Sequence, residues 1–151
     1  MNMPALDPQR ALAHKMAPVA RNWRRLADEA LAELGVSNSA AWCLLHIERD
    51  GPTVRQSDLA ESLDVAGPSL VRTLAQLESA ELVERAQHPN DRRANLIGLT
   101  KKGEELAGRI EARLADLRAD LLKDVPDDVV EVAVWLFDLL NLRIKEYRLR
   151  S

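Results

Sequence analysis

The chain has 151 residues, 46% of them hydrophobic and 30% charged, with a formal net charge of −3. Such a composition describes one ordinary globular domain and excludes disordered or collagen-like sequence. Taken alone, the net acidity speaks against a nucleic-acid-binding domain, whose usual footprint is basic.

A lone cysteine, Cys43, rules out an internal disulfide and fits a reducing compartment. No basic stretch followed by an apolar run opens the chain, so no signal peptide is expected. The most apolar segment, 129–144, is interrupted by Glu131, Asp138, Asn141 and Arg143 and is too short for a membrane span. The expected location is cytoplasmic. The glycines form neither a GxGxxG nor a GxxxxGK[ST] pattern, and there is no G-x-S-x-G elbow. His14, His46 and His88 lack metal-ligand spacing. No catalytic residue, metal or cofactor is expected.

In chain order, Leu12, Met16, Val19, Trp23, Leu26, Ala30 and Leu34 recur at spacings of four and three, which predicts a helix over 9–34 with a narrow apolar seam. Pro18 should kink it or mark where its regular part begins. Gly35 stands where a C-terminal cap belongs. Ser37 can cap a helix over 38–50 that Gly51-Pro52 ends. Ala40, Cys43, Leu44 and Ile47 make one face of it, and Trp42, Leu45, His46 and Arg49 another, so this helix should touch neighbours on both sides.

A short helix over 56–63 and a tight connection, Asp64-Val65-Ala66-Gly67, lead to a fourth helix opened by Pro68. Its stripe of Leu70, Leu74 and Leu77 faces inward, and Ser69, Arg72, Thr73 and Gln76 form a polar stripe facing away. Two short helices joined in this way describe a helix-turn-helix. Residues 82–87 and 95–99 read as strands around a longer, charged loop at His88-Pro89-Asn90-Asp91. Thr100 can cap a helix running to about Val125, and Pro126 opens a last helix to about Arg148. That last helix is apolar on more than one face, so a second copy of the chain is expected to cover it.

The string Asp91-Arg92-Arg93-Ala94-Asn95-Leu96-Ile97-Gly98-Leu99-Thr100-Lys101-Lys102-Gly103 resembles the D-x-R…L-T-x-x-G wing signature of the MarR family of winged helix-turn-helix regulators. Pro68-Ser69-Leu70-Val71-Arg72-Thr73-Leu74, Gln76-Leu77-Glu78 and Leu82-Val83-Glu84-Arg85 are similar to the SlyA-like branch of that family. The likeness spans nearly the whole chain, including Asn22-Trp23-Arg24, Trp42 and His46. It departs at three places. Asp64 stands where glycine is common in the turn, Arg55 near a usual hydroxyl cap, and Glu81 where glycine usually precedes the wing. The resemblance implies a mainly α fold of one domain over 1–151. In it a winged helix-turn-helix lobe (37–103) is flanked by N- and C-terminal helices (9–34 and 104–148) that form a dimerisation lobe.

Charge distribution supports that reading. Residues 1–52 carry six acids and six bases, residues 53–103 seven and seven, and residues 104–151 eleven and eight. Within 85–102, five bases face one acid, so a neutral lobe can present a basic wing.

The resemblance implies a homodimeric transcriptional regulator, a repressor, that binds an inverted-repeat, AT-rich operator in double-stranded DNA. Arg72 would contact guanine. Ser69, Thr73 and Gln76 would reach phosphates or base edges. A wing tip with Arg92 and Arg93 would suit the minor groove; Asp91 would orient one of them, and which of the two enters the groove is left open. It also implies a cleft for a small aromatic carboxylate or phenolic effector, lined by Arg21, Trp23, Trp42 and His46. Alternatives are an oxidant sensor acting through Cys43, or a winged-helix interaction module without DNA binding. The dimerisation lobe of an enzyme is disfavoured because no catalytic domain accompanies it.

Overall fold

Side-chain caps define the first helices. The computed structural model describes residues 7–150. Asp7 accepts the Arg10 amide hydrogen at 3.2 Å and opens α1 (Pro8–Ala32). Pro18 lies within α1 and does not end it. Gly35 then turns the chain at φ 69°. Ser37 Oγ accepts the Ala40 amide hydrogen at 3.3 Å and starts α2 (Asn38–Asp50), which Gly51 ends at φ 125°. Both caps follow the physics of unsatisfied helix-end groups.

A two-residue strand, β1 (Val54–Arg55), precedes α3 (Gln56–Leu63). No side chain caps α3, which agrees with Arg55 replacing a hydroxyl there. Asp64 ends it in the left-handed region, φ 51° and ψ 46°, a conformation that Asp tolerates better than most residues. Then come α4 (Gly67–Ser79), β2 (Val83–His88), β3 (Asp91–Leu99), α5 (Lys101–Leu121) and α6 (Asp127–Arg150). The sheet is antiparallel in the order β1-β3-β2, with Val54 opposite Ile97 and Val83 opposite Leu99.

Two expectations change here. The wing is not a long loop between short strands: β2 and β3 pair up to His88 opposite Asp91, leaving only Pro89 and Asn90 between them. And α5 ends at Leu121, before the expected Val125, with Asp124 at φ 62° beyond it.

The chain divides into a body that ends at Leu117 and a second that begins at Arg118. The first contains one core, built from Leu31 of α1, Leu44 and Ile47 of α2, Leu59 of α3, Leu70 and Leu74 of α4, Ile97 of β3 and Ile110 of α5. The second contains α6, none of whose residues is buried. Trp135, Phe137, Leu142 and Tyr147 are 51–74% exposed in the single chain.

Within the first body, the end of α4 is fastened to the start of α5. Thr100 does this with two groups and three hydrogen bonds. Its amide donates to Leu82 O at 3.1 Å, its hydroxyl donates to Glu81 O at 2.6 Å, and the same oxygen accepts the Gly103 amide hydrogen at 3.0 Å. Lys102 Nζ adds a hydrogen bond to Ala80 O at 2.9 Å. Gly103 is buried, and a Cβ there would run into the Leu82 carbonyl. The T-x-x-G spacing is thereby explained: threonine caps the helix, and only glycine fits three residues on. Glu81, where a glycine was expected, sits at φ 59°.

Gly103→Ala should therefore destabilise the protein by about 1–3 kcal/mol or more through overpacking, read as a lower denaturant midpoint. Glu81→Gly should raise the unfolding free energy by up to about 1 kcal/mol, read as a higher midpoint, because relief of a left-handed side chain outweighs the added chain entropy.

Candidate nucleic-acid interface

The residues of α4 divide by helical phase, about 100° per residue. Leu70, Leu74 and Leu77 are buried, so the opposite direction carries Pro68, Arg72 and Ala75, with Gln76 beside them. Ser69 and Thr73 lie on a flank. Thr73 is half-buried, and its hydroxyl donates to Ser69 O at 3.1 Å, so it serves its own helix. Of the four expected polar residues, Arg72 and Gln76 point most directly outward. On the other flank stands Val71, 48% exposed, which polarity alone did not single out.

The wing carries Arg92 and Arg93 at the start of β3, both exposed. Asp91 Oδ1 accepts the Arg93 backbone hydrogen at 3.0 Å. The expected orienting contact is thus to backbone, and it sets the turn before it sets any guanidinium. Arg85, counted among the wing's bases, lies 3.1 Å from Glu78 Oε2, an ion pair without hydrogen-bond alignment. Lys102 is likewise occupied at Ala80 O. None of the ion pairs among the described residues involves Arg72, Arg92 or Arg93.

Between α3, α4 and β3 lies a groove of about 330 Å³ lined by Arg55, Gln56, Val71, Arg93 and Asn95 among others. Gln56 Oε1 is buried there without a hydrogen-bond partner. Arg55 was read only as a poor helix cap. Its approach to Arg93 depends on β1 pairing with β3, and a two-residue strand leaves no periodic signal.

The expected effector residues divide. Trp42 is half-buried. Its Nε1 donates to Asp28 Oδ1 at 2.9 Å, and the Arg24 guanidinium lies 3.8 Å from its ring centroid. Arg24 Nε reaches the same Asp28 oxygen at 3.4 Å. One turn along α2, His46 Nδ1 accepts from Arg49 Nη2 at 2.8 Å, since a guanidinium can only donate. Arg21 is exposed and shares an open groove with Arg24, Arg25 and Asp28. Trp23 does not line that groove; at 38% exposure it lies about 100° around α1. Asp28 is the residue that sequence reasoning left out, while Arg24 and Arg49 were noted but given no part in the site. The i,i+4 spacing of Arg24 and Asp28 was the available signal.

Burial lowers the pKa of His46, Arg49 lowers it further, Asp50 opposes this, and Arg24 adds a small lowering. The folded state therefore favours the neutral ring. That stabilisation is present above the ordinary histidine value of 6.5 and is lost below it, as pH falls towards and through the lowered folded-state value. Denaturation at pH 7.5 and pH 5 should show a smaller acid loss for His46→Gln than for wild type.

Cys43 is 0% exposed, and burial pushes its thiol up to about 12. It is a protonated core thiol at neutral pH, which is the opposite of what a reactive cysteine requires. A thiol reagent should modify it only at the rate of unfolding. Equal labelling of native and denatured protein would contradict the burial.

Comparison with known proteins agrees with this geometry. A model of the MarR family matches residues 34–94. The structure is similar to the transcriptional regulator PA3341, with 37% identity and a TM-score of 0.74, over 87% of this chain and 98% of that one. It is similar to a mutant of MarR from E. coli, with 28% identity and a TM-score of 0.71, over 90% of this chain and 98% of that one. The same mutant complexed with operator DNA matches with 27% identity and a TM-score of 0.71, over 86% of this chain and 93% of that one.

Proposed function

Because the chain belongs to the MarR family of winged-helix transcription regulators, we propose that it acts as a homodimeric repressor of the SlyA-like branch, released from its operator by a small aromatic carboxylate or phenol. The observation that carries the DNA-binding part is the outward face of α4, with Arg72 and Gln76 exposed, beside a wing whose tip presents Arg92 and Arg93.

The proposed docking follows groove dimensions. The major groove admits α4, where Arg72 takes guanine O6 and N7 as a bidentate pair. Gln76 and Ser69 reach base edges or phosphates, and Val71 offers a methyl surface of the kind that packs on thymine. Thr73 contributes through the helix it bonds. Arg92 and Arg93 suit the narrow, negative minor groove of AT-rich sequence. Two copies related by a two-fold axis place their α4 helices about 34 Å apart and read an inverted repeat. The apolar exposure of α6 supports the dimer, since side chains such as Trp135 and Leu142 have no cover in one chain. No helix of the described residues is long and apolar enough to cross a membrane, and the proposed site of action is the cytoplasm.

For the effector, the proposal centres on the polar side of α2. Trp42 supplies a ring face, His46 a ring N–H, and Arg21 an exposed cation able to pair with a carboxylate. Arg24 and Asp28 hold the indole in place. Trp23 takes the weaker part, at the margin of that surface.

Selection from a random double-stranded pool should yield an inverted repeat. Arg72→Ala should then cost about 1–3 kcal/mol and relax specificity at one base pair of each half-site. Arg92→Ala should weaken binding to all sequences and flatten its salt dependence. Wild-type behaviour in both variants would refute the docking. Trp135→Glu should give a monomer by light scattering. Calorimetry with salicylate should show weaker binding for His46→Ala and Arg21→Ala, and unchanged affinity in both would dispose of the effector site.

A further inference from the structure

The tip of the wing is held by a histidine. His88 Nδ1 lies 3.1 Å from the backbone nitrogen of Asn90. An amide nitrogen can only donate, so Nδ1 is the acceptor and the ring carries its proton on Nε2. The register sets His88 opposite Asp91 and breaks between Gln87 and His88, so the turn is short and irregular at this corner. On the facing strand, Asp91 Oδ1 accepts the Arg93 amide hydrogen at 3.0 Å. Each side chain thus accepts from the amide two residues on. Asp91 is a usual residue for this Asx-type contact and His88 is not. Arg92 and Arg93 follow directly from the two corners held in this way.

We propose that His88, as the neutral Nε2–H tautomer, is a positioning residue for the wing's contact with DNA. Its ring stands in for an Asx side chain and fixes the Pro89-Asn90 turn, so that Arg92 and Arg93 leave the tip from a fixed backbone. Holding that backbone before binding removes the part of the ordering cost that a loose turn would pay at an interface. The strands do not depend on the contact for their formation, because their apolar anchors, Val83 and Ile97, are buried at the far end of the hairpin.

The inference rests on the DNA-binding reading, and the experiment keeps the two apart. Full-length wild type first selects DNA from a random pool. Binding of that DNA is then measured for His88→Ala, His88→Asn, Arg92→Ala and the His88→Ala/Arg92→Ala double variant. Loss of one hydrogen bond in the turn should weaken His88→Ala by about three- to tenfold. His88→Asn, which can make the same contact as an Asx turn, should return to within about twofold of wild type. Arg92→Ala should cost less in the His88→Ala background than alone. Imidazole nitrogen NMR of the free protein should show the Nε2–H tautomer. Binding of His88→Ala at wild-type strength, failure of His88→Asn to restore it, or an Nδ1–H tautomer would overturn the proposal alone. Failure of wild type to select any DNA would overturn the DNA-binding reading, and the proposal with it.

Discussion

Gly103 lies so close to the Leu82 carbonyl that no side chain fits between them. Everything that could face DNA hangs on it. The link that follows α4 leaves carbonyls that need partners, and three in succession find them in one short stretch: Ala80 O in Lys102, Glu81 O in the Thr100 hydroxyl and Leu82 O in the Thr100 amide. These contacts close the base of the β2–β3 hairpin on the end of α4. The end of α4, the β2–β3 hairpin and the first turn of α5 are therefore tied to one another. The separation between Arg72 and the wing tip becomes a property of backbone packing, so surface side chains can change without altering it.

That closure was legible in the sequence in outline. Thr100 as a cap could be read from a local rule of backbone conformation, whereas the glycine three residues later and the anomaly at Glu81 were read through the family resemblance. Asp64 in the left-handed turn was readable for the same reason. What could not be read required tertiary pairing. His88 carries no turn signal of its own, so the tip looked like a long loop until the register closed it at Asp91. Trp42 and Asp28 are fourteen residues apart on different helices, and only packing of α1 on α2 brings indole to carboxylate. Thr73 matched the polar period of α4, yet period alone could not tell a residue that faces outward from one that bonds its own helix.

Charge behaves in the same way. A net charge of −3 concealed a wing with a surplus of bases. The structure then shows that the surplus is smaller than the count, because Arg85 and Lys102 are committed within the protein. What remains accessible at the wing is mainly Arg92, Arg93 and Lys101. Affinity built on few phosphate contacts falls less steeply with salt than that of a strongly basic protein. Such a protein depends more on base contacts and shape. The preorganisation of a few arginines then matters more than their number, and the clamps at His88 and Asp91 gain their importance from this.

The same economy bears on how a ligand could act. Helix α2 presents Cys43, Leu44 and Ile47 to the core and Trp42 and His46 to the polar side. Its core face is fully packed, so it cannot shift without displacing the residues of α3, α4 and β3 that meet it in that core. A ligand on the polar side changes DNA affinity only to the extent that it binds the two arrangements of α2 unequally. With Asp28 tying both Trp42 and Arg24, the natural point of difference is that carboxylate. An anion that draws Arg24 away from Asp28 alters the support of the indole on which it stacks. A neutral phenol leaves the ion pair intact and has only the ring faces to work with. For the proposed effector, charge on the ligand, more than its size, is therefore the property that would disturb this arrangement.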